Sequence, residues 1–260
     1  MSATVRMPSD KTLAMLLRSF KLPAFARDHA VVAEQAGREG LTHEEYLLVL
    51  SKLEAHERRE RRVQRLLEDS HLPREKSLAT FDLTRLSGKA KTSFSALKDG
   101  SFLDRSENVL AFGNPGSGKT HLLCALGHEL VRGGRTVFFA PAFQIVQKLL
   151  AAKRDLKLAT ELKRLDRFEA LLIDDIGYVQ QSREEMEVLF TLLAERYERR
   201  SVLITSNLVF SKWDQIFKDT MTTAAAIDRV VHHSVILELN MDSYRAQAAR
   251  ERQKHTKDAT

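Results

Sequence analysis

The residue types that phosphate chemistry requires stand together in Gly113-Asn114-Pro115-Gly116-Ser117-Gly118-Lys119-Thr120. The stretch fits the pattern G-x-x-x-x-G-K-[ST], with a short apolar run before it and helical periodicity after it. Glycines let successive backbone N–H groups curl around an anion, and a new helix adds its positive end. We expect the whole stretch and the adjacent His121 to bind a nucleoside triphosphate, with Lys119 at the β- and γ-phosphates and Thr120 on Mg²⁺.

A pair of carboxylates offers the metal partner that such a loop needs. Leu171-Leu172-Ile173-Asp174-Asp175 is an apolar strand that ends in two acidic residues. Such a pair occurs by chance in many proteins, but behind a phosphate loop it predicts a metal site. We expect Asp174 to hold Mg²⁺ through its water shell and Asp175 to orient the attacking water.

A polar amide, Asn207, ends the next apolar run. If this run is a strand of the same sheet, the amide lies between the loop and the acidic pair, within reach of the γ-phosphate or the attacking water. Asn is also common where a strand simply ends in a turn. From the residues alone both interpretations stay open.

The elements that must position these residues alternate from residue 81 onward. Five short apolar runs rich in Val, Ile, Leu and Phe read as strands buried on both faces, with helical stretches between them. This pattern predicts an α/β domain with a five-stranded parallel sheet and a site at the carboxyl ends of the strands. The predicted strands are 109–112, 136–140, 170–174, 202–206 and 235–239, and the clearest helix is 183–199.

The segment before this domain reads as a small all-helical unit. Its apolar residues recur at helical spacing, Gly37 and Gly40 should end a second helix, and Thr42 with Glu45 forms a capping-box pattern for a third. The third helix is densely charged, which indicates either a solvated face laced with ion pairs or a basic surface for DNA or a protein. Residues 73–80 read as a linker. The predicted domains are 1–76, for partner or DNA interaction, and 77–260.

Composition narrows the class of protein. Of 260 residues, 43% are hydrophobic and 29% charged, with one cysteine, Cys124, so no disulfide framework exists. No apolar run reaches membrane-spanning length and no signal peptide is visible, so we expect a cytoplasmic protein without a membrane partner. The net charge of +6 suggests a polyanionic partner besides the nucleotide. The sequence contains no N-K-x-D tetrad, the motif that reads guanine, so a GTPase is disfavoured. No further acidic cluster accompanies Asp174-Asp175, so a nuclease is disfavoured.

Taken together, the motifs resemble an AAA+ ATPase. The acidic strand end, the Asn207 ending and the run 226–233 are similar to the IstB/DnaC group of transposition helpers and helicase loaders. The resemblance spans nearly the whole chain, and its N-terminal part points to the transposition helper. Further matching positions are Leu17-Arg18, Lys21-Leu22-Pro23, Glu44-Glu45-Tyr46-Leu47, Asp174-Asp175-Ile176-Gly177-Tyr178, Trp213 and Ser243-Tyr244-Arg245.

The resemblance implies roles that the residues alone leave open. Asn207 would be the sensor of the γ-phosphate, and Arg229 would be the arginine finger offered to ATP on the neighbouring subunit. A finger supplied in trans implies a homo-oligomer, a ring or a helical filament, with ATP between subunits. Without the resemblance, Asp228-Arg229 reads as a local ion pair on a helix. Arg245 is a weaker candidate for a second sensor.

Basic residues between the second and third predicted strands are the candidate DNA contacts. Placed on one helix they form a basic face beside an apolar one, which could follow a phosphate backbone or simply face solvent. In the resembling family, helices inserted here line the DNA-facing channel. The pairs His121/His128 and His232/His233 show no companion ligand at metal spacing, so we interpret them as structural. The candidate DNA contacts are Lys148, Lys153, Arg154, Lys157 and Arg164.

The sequence therefore predicts an ATP- and Mg²⁺-dependent ATPase that assembles on duplex DNA, remodels it and recruits a cognate transposase. A DnaC-like helicase loader and a small-molecule phosphotransferase on the same core are the alternatives. One departure from the AAA+ pattern concerns Asp175, because the second acidic residue is usually Glu. Its side chain is one methylene shorter, so we expect slow hydrolysis until partners complete the geometry.

Overall fold

The computed structural model describes residues 10–178, 182–208, 212–213 and 220–239. The role predicted for Arg245 lies outside these ranges. The chain divides into two compact units, one up to Arg65 and one from Leu66 onward. This division lies N-terminal to the predicted domain boundary at residue 76. Residues 73–80, predicted to be a linker, belong to the second unit and contain a short 3-10 turn, Leu78–Thr80.

The first unit is helical. Helix α1 is Asp10–Ser19, α2 is Pro23–Glu39 and α3, which continues past the boundary, is His43–Ser70. Helix α2 begins with Pro23, whose fixed φ suits the first turn. It ends at Gly40, which adopts φ 69°, whereas Gly37 lies inside the helix and does not break it. The predicted capping box is present, since the Thr42 and Glu45 side chains each accept the other's backbone N–H.

A buried carboxylate holds α2 to α3. Glu54, only 4% exposed, accepts hydrogen bonds from the backbone N–H of Ala24 at 2.9 Å and from Nε of Arg58 at 2.8 Å. Burial raises the pKa of Glu54, but these hydrogen bonds outweigh burial and leave the pKa below its ordinary value. Arg58–Glu54 and Arg61–Glu57 are i,i+4 pairs, so the ion pairs predicted for α3 are present.

The second unit is built around one parallel sheet of five strands in the order β2-β3-β4-β1-β5. The five predicted strands are confirmed to within about one residue at each end. Helix α9 has a Ser182–Glu185 capping box and ends three residues earlier than predicted. The elements are α4 Gly88–Leu97, α5 Ser101–Asp104, β1 Asn108–Gly113, α6 Lys119–Arg132, β2 Val137–Pro141, α7 Ala142–Arg154, α8 Leu158–Asp166, β3 Ala170–Asp174, α9 Arg183–Arg196, β4 Ser201–Ser206, α10 Thr220–Val231 and β5 Ser234–Leu239.

Both faces of the sheet are buried, because successive side chains of each strand enter opposite cores. In β1, Leu110 packs into the core formed with α7 and α9, whereas Val109 packs into the core formed with α4 and α6. In β3, Ile173 and Leu172 divide in the same way. This two-sided burial explains why the strands lack polar alternation, and it fixes their carboxyl ends at one rim.

The basic insertion between β2 and β3 differs from its prediction. It is two helices, α7 and α8, rather than one, with a break at Leu156, which adopts φ 57°. Lys157 precedes α8 as its N-cap. The predicted single basic face therefore does not exist as one helical stripe. In the described part of the chain, no helix combines the length and the apolar character needed to cross a membrane.

Candidate nucleotide-binding and catalytic site

The phosphate loop connects β1 to α6, as predicted. Gly116 and Gly118 adopt φ 81° and 88°, and Gly118 caps α6. The amide of Leu122 donates to the Gly118 carbonyl at 2.8 Å. The three helical residues before Leu122 therefore have no carbonyl one turn earlier in the helix to receive their N–H groups. At the positive end of the helix dipole, these groups suit an anion.

Two features close the loop around its lysine. Gly113 adopts φ 154°, and a Cβ there would lie 2.3 Å from the Leu239 carbonyl oxygen, so only glycine lets the loop leave β1 beside β5. Lys119 Nζ donates to the carbonyls of Gly113 at 2.8 Å and Asn114 at 3.0 Å. The ammonium group is thus held at the loop, 7% exposed, where a phosphate oxygen can replace a carbonyl as its acceptor.

A cleft of about 280 Å³ joins the loop to the other predicted site residues. It brings together the phosphate loop, the second acidic residue and the amide at the end of β4. The segment before α4 contributes the opposite wall. The lining residues are Lys76, Thr80, Pro115, Gly116, Gly118, Lys119, Thr120, His121, Asp175 and Asn207.

Thr120 and Asp174, the two candidate metal ligands, are hydrogen-bonded to each other. Asp174 Oδ1 accepts hydrogen bonds from Thr120 Oγ1 at 2.7 Å and from Thr205 Oγ1 at 2.6 Å. A hydroxyl and a carboxylate in contact at the mouth of a phosphate loop are the hard oxygen donors that Mg²⁺ prefers. The donor set therefore fits Mg²⁺, which Thr120 would ligate directly and Asp174 through water.

Asp175 lies just outside β3 and is positioned by a hydrogen bond of its backbone N–H. It follows β3 with φ 62°, and its N–H donates to Thr205 Oγ1 at 2.7 Å. Thr205 therefore bridges the two acidic residues, with its hydroxyl donating to the first and accepting from the second. This conformation places Asp175 on the wall of the cleft, whereas Asp174 remains beside Thr120.

The amide of Asn207 lies between the loop and the acidic pair, because β4 lies between β1 and β3. Its Oδ1 is buried and has no hydrogen-bond partner in the described part of the chain. A Cβ on Gly177 would lie 2.4 Å from this oxygen, so the glycine makes room for the amide. An unpaired buried acceptor in the cleft is available to a water or a substrate hydroxyl.

His121 also lines the cleft, where it contacts the segment before α4. Its Nε2 is 3.1 Å from the Ser77 carbonyl and 3.1 Å from Thr80 Oγ1, and its ring meets Phe81 edge to face. Burial lowers the pKa of His121, against the opposing effect of the hydrogen bond to Ser77. The neutral His121 ring donates from Nε2 to the Ser77 carbonyl, and this contact connects α6 to the start of the 3-10 turn Leu78–Thr80.

Arg229 is not among the residues that line the cleft. It lies in the last turn of α10, where its guanidinium stacks over the Phe190 ring at 4.8 Å and Nη1 donates to the Ala225 carbonyl at 3.3 Å. The ion pair with Asp228 that the residues alone suggested does not occur among the salt bridges of the described residues.

The candidate DNA contacts fall into two groups. Lys148, Lys153 and Arg164 form ion pairs with Glu161, Glu187 and Glu161, at 3.7, 2.9 and 2.7 Å. Arg154 and Lys157 are exposed on either side of the break between α7 and α8. Between them lie Asp155, which is also exposed, and Leu156, which is 95% exposed. The break thus presents two cations, one carboxylate and an apolar side chain.

Sequence reasoning missed Thr205 as a site residue. It is 1% exposed and positions both acidic residues, yet a threonine within an apolar strand looks like any β-branched strand former. Its place two residues before Asn207, on the strand next to the acidic pair, was the available indication. Lys76 and Thr80 were missed because their stretch was interpreted as a linker.

Solved structures show which fold this chain shares. AMPPCP-bound DnaA from Aquifex aeolicus superposes with a TM-score of 0.54 at 18% identity, over 72% of this chain and 57% of that chain. This chain therefore matches just over half of that protein. The DnaC helicase loader superposes with a TM-score of 0.55 at 15% identity, over 64% of this chain and 98% of that chain. With the phosphate loop and acidic strand end, this fold defines an AAA+ ATPase.

Sequence comparison then gives the particular family. The chain belongs to the IstB-like ATP-binding protein family, whose model matches residues 15–252. An insertion-sequence ATP-binding protein of Sinorhizobium fredii is 40% identical over 94% of this chain and 82% of its own length. The ATP-binding protein of insertion sequence IS21 from Pseudomonas aeruginosa is 35% identical over 95% of this chain and 94% of its own length. The predicted resemblance is confirmed.

Proposed function

We propose that this protein is an ATP-dependent regulator of transposition that assembles on duplex DNA, remodels it and recruits a transposase. The observation that carries the proposal is the meeting of the phosphate loop, Asp175 and Asn207 in one cleft, in a chain whose relatives belong to insertion sequences. A structural match to DnaC at 15% identity concerns the fold alone, so it does not favour helicase loading.

Each site residue takes one role in hydrolysis. The loop amides and Lys119 bind the β- and γ-phosphates. Thr120 and Asp174 would hold Mg²⁺, which would supply positive charge beside the phosphate oxygens. Asp175 orients the attacking water, and Asn207 senses whether a γ-phosphate is present. The bridge through Thr205 supports this division, because it holds one carboxylate at Thr120 while turning the other toward the cleft.

Arg229 acts on a neighbouring subunit. Its position outside the residues lining the cleft supports a role in trans, and stacking on Phe190 holds its guanidinium as a planar donor. A guanidinium at the transferring phosphate contributes roughly 10³–10⁵ in rate. Supplying it from the next subunit makes hydrolysis depend on assembly into a ring or filament.

The break between α7 and α8 contacts the DNA backbone. Arg154 and Lys157 are exposed there, and Lys148, Lys153 and Arg164 lie nearby in ion pairs. Partly exposed pairs of this kind contribute about 0–1 kcal/mol, so a phosphate can replace the carboxylate at little cost. The contacts read backbone and shape, and binding weakens steeply with salt. The first unit, which exposes Phe20 and Leu47, contacts the transposase or DNA.

Subunit mixing tests the proposal. Arg229→Ala and Lys119→Ala proteins are each expected to hydrolyse ATP poorly, and a mixture of the two should recover activity, because some interfaces then join an intact loop to an intact finger. Gel filtration of labelled subunits must show that the two proteins mix. Mixed subunits without recovery would contradict the role of Arg229 in trans.

Duplex DNA provides the second test. ATP turnover should rise with duplex DNA and with protein concentration, and Arg154→Gln with Lys157→Gln should weaken DNA binding and reduce its salt dependence. Lys98→Gln with Arg132→Gln is the matched control, since it removes one lysine and one arginine from exposed positions elsewhere in the second unit. Turnover indifferent to DNA and to dilution would instead indicate a phosphotransferase.

A further inference from the structure

Outside the nucleotide cleft, one cluster of metal-ligand side chains stands out in the described part of the chain. It consists of Glu198, His232 and His233, all exposed, each with one ligand atom within 4.8 Å of the others. Two imidazoles and a carboxylate are a familiar ligand set for Zn²⁺ with an open fourth position. No companion ligand for His232 and His233 is recognisable in the sequence, because Glu198 is more than thirty residues away; the fold brings it close.

The cluster joins two turns at the amino end of the sheet, the rim opposite the phosphate loop. Glu198 lies between α9 and β4, and the two histidines lie between α10 and β5. Strand β1 lies between β4 and β5, and the first residue of β1 ties both turns together. Asn108 donates its backbone N–H to the His233 carbonyl at 2.7 Å and its side-chain amide to the Val230 carbonyl at 3.0 Å. Its Oδ1 accepts from Val202 N–H at 2.9 Å.

This buried asparagine, 7% exposed, links β4 to the end of α10 and to the His233 backbone, beside the ligands. The ligand side chains themselves are exposed. Tetrahedral Zn²⁺ with bonds of about 2.0–2.1 Å needs its ligand atoms roughly 3.4 Å apart. The ligand atoms would therefore have to approach one another by up to about 1.4 Å, and we expect rotation of the exposed side chains to supply this movement.

The surroundings orient the first histidine as metal ligands are usually oriented. His232 Nδ1 lies 3.1 Å from the Tyr197 hydroxyl, so a ring that donates Nδ1–H to this oxygen leaves Nε2 for a metal. The same hydroxyl interacts with Glu198, so one residue contacts two ligands. His233 Nε2 is 3.9 Å from Glu198 Oε1, and the Glu107 carboxylate acts electrostatically on His233. The Glu198 carboxylate supplies negative charge where a cation would bind, whereas the Glu107 carboxylate already pairs with Arg105 at 2.8 Å.

We infer that Glu198, His232 and His233 form a binding site for a divalent transition metal ion of the Zn²⁺ class. Bound there, the ion links the α9–β4 turn to the α10–β5 turn. It holds His232, which directly follows α10 and lies three residues after Arg229, against the body of the domain. The site is independent of the proposed nucleotide chemistry, because none of its ligands lines the cleft.

The test is titration of the full chain with Co²⁺ in the absence of nucleotide, with Zn²⁺ as competitor. Four-coordinate Co²⁺ absorbs visible light strongly, so the band reports coordination rather than loose association. We expect one Co²⁺ per chain, displaced by Zn²⁺. Glu198→Gln, His232→Gln and His233→Gln should each weaken binding by about tenfold or more. Millimolar Mg²⁺ should not compete, because it prefers oxygen ligands.

Two control variants locate the binding. His56→Gln removes an exposed histidine of the first unit, and Asp174→Asn alters the cation site of the nucleotide cleft. Both should bind Co²⁺ as the unchanged protein does. Absence of a band, equal binding by the three ligand variants, or loss of binding in Asp174→Asn would each overturn the assignment.

Thermal unfolding supplies a readout that is independent of colour. Zn²⁺ should raise the Tm of the unchanged chain by a few degrees, since a ligand that binds only the folded state stabilises it. The Tm of the three ligand variants should not respond. Without metal, their Tm should equal that of the unchanged chain, because the altered side chains are exposed. A Zn²⁺-induced rise that survives in the variants would place the metal elsewhere.

Discussion

Replacing Thr205 by valine tests whether its hydroxyl organises the acidic pair. Valine has nearly the shape of threonine but can neither donate to Asp174 nor accept from the Asp175 N–H. In the native site these hydrogen bonds measure 2.6 and 2.7 Å. Thr205 is 1% exposed, so water cannot readily take the place of its hydroxyl. The substitution therefore removes two polar contacts while leaving the packing volume almost unchanged.

Two separate effects should follow. The Asp175 N–H loses a buried acceptor, which costs about 1–3 kcal/mol of folding free energy. Asp174 keeps its hydrogen bond from Thr120 at 2.7 Å but loses the second donor that fixes its orientation. Removing such an outer contact typically costs about 10–100-fold in metal affinity or activity. We therefore expect Thr205→Val to raise the Mg²⁺ concentration that half-saturates ATP turnover by roughly that factor.

Thr205→Ser is the matched control. It keeps the hydroxyl and loses a buried methyl group, which costs about 1 kcal/mol. Both variants are thus destabilised by similar amounts, but only the valine variant should lose turnover at limiting Mg²⁺. Urea unfolding gives the stabilities, and steady-state ATP hydrolysis across a Mg²⁺ series gives the activities. Equal Mg²⁺ dependence in the two variants would refute the reasoning.

Three further predictions rest on neighbouring residues. Gly177→Ala should lower ATP turnover at least tenfold while leaving nucleotide affinity nearly unchanged. The new Cβ would lie 2.4 Å from Asn207 Oδ1 and must displace that amide. Binding of a fluorescent nucleotide measures the affinity, and steady-state ATP hydrolysis measures the turnover. Burial lowers the pKa of His121 in the folded state, so the unfolded chain binds more protons near its ordinary pKa. Stability should therefore fall as pH drops from 7 to 5.5, and urea titrations should show a smaller fall for His121→Gln. Burial raises the pKa of Cys124 to about 12, so a thiol reagent should label this single cysteine at pH 7.5 only as the protein unfolds.

The sheet and the site could be predicted because both depend on short local patterns. Apolar runs such as Leu171-Leu172-Ile173 reflect burial on two faces, and the phosphate loop carries its own geometry in its glycines. Once the strands are parallel, their carboxyl ends must meet at one rim. The convergence of Asp175 and Asn207 followed from that constraint without knowledge of the strand order.

Features that depend on pairing between distant segments could not be predicted. Helical periodicity placed Lys153 and Arg164 on one face, but the left-handed conformation of Leu156 breaks the helix. No glycine or proline near Leu156 predicts that break. Glu198 likewise approaches His232 only because β1 lies between β4 and β5, an order that the sequence does not state. Such contacts depend on the order of the strands in the sheet, which local sequence patterns do not predict.

Gly113 and Gly177, next to the residues that line the cleft, are both required for a reason that extends beyond phosphate binding. Among the described residues, Ser117 Oγ and Asn207 Oδ1 are two of the few buried side-chain atoms without a hydrogen-bond partner. A Cβ on Gly113 would lie 2.9 Å from the first, and a Cβ on Gly177 would lie 2.4 Å from the second. Each glycine thus leaves the space that an unpaired polar atom occupies. An unpaired buried polar group costs about 1–3 kcal/mol of folding free energy. The fold therefore gives up stability at two positions beside the cleft, and hydrogen bonds to a bound substrate can restore it.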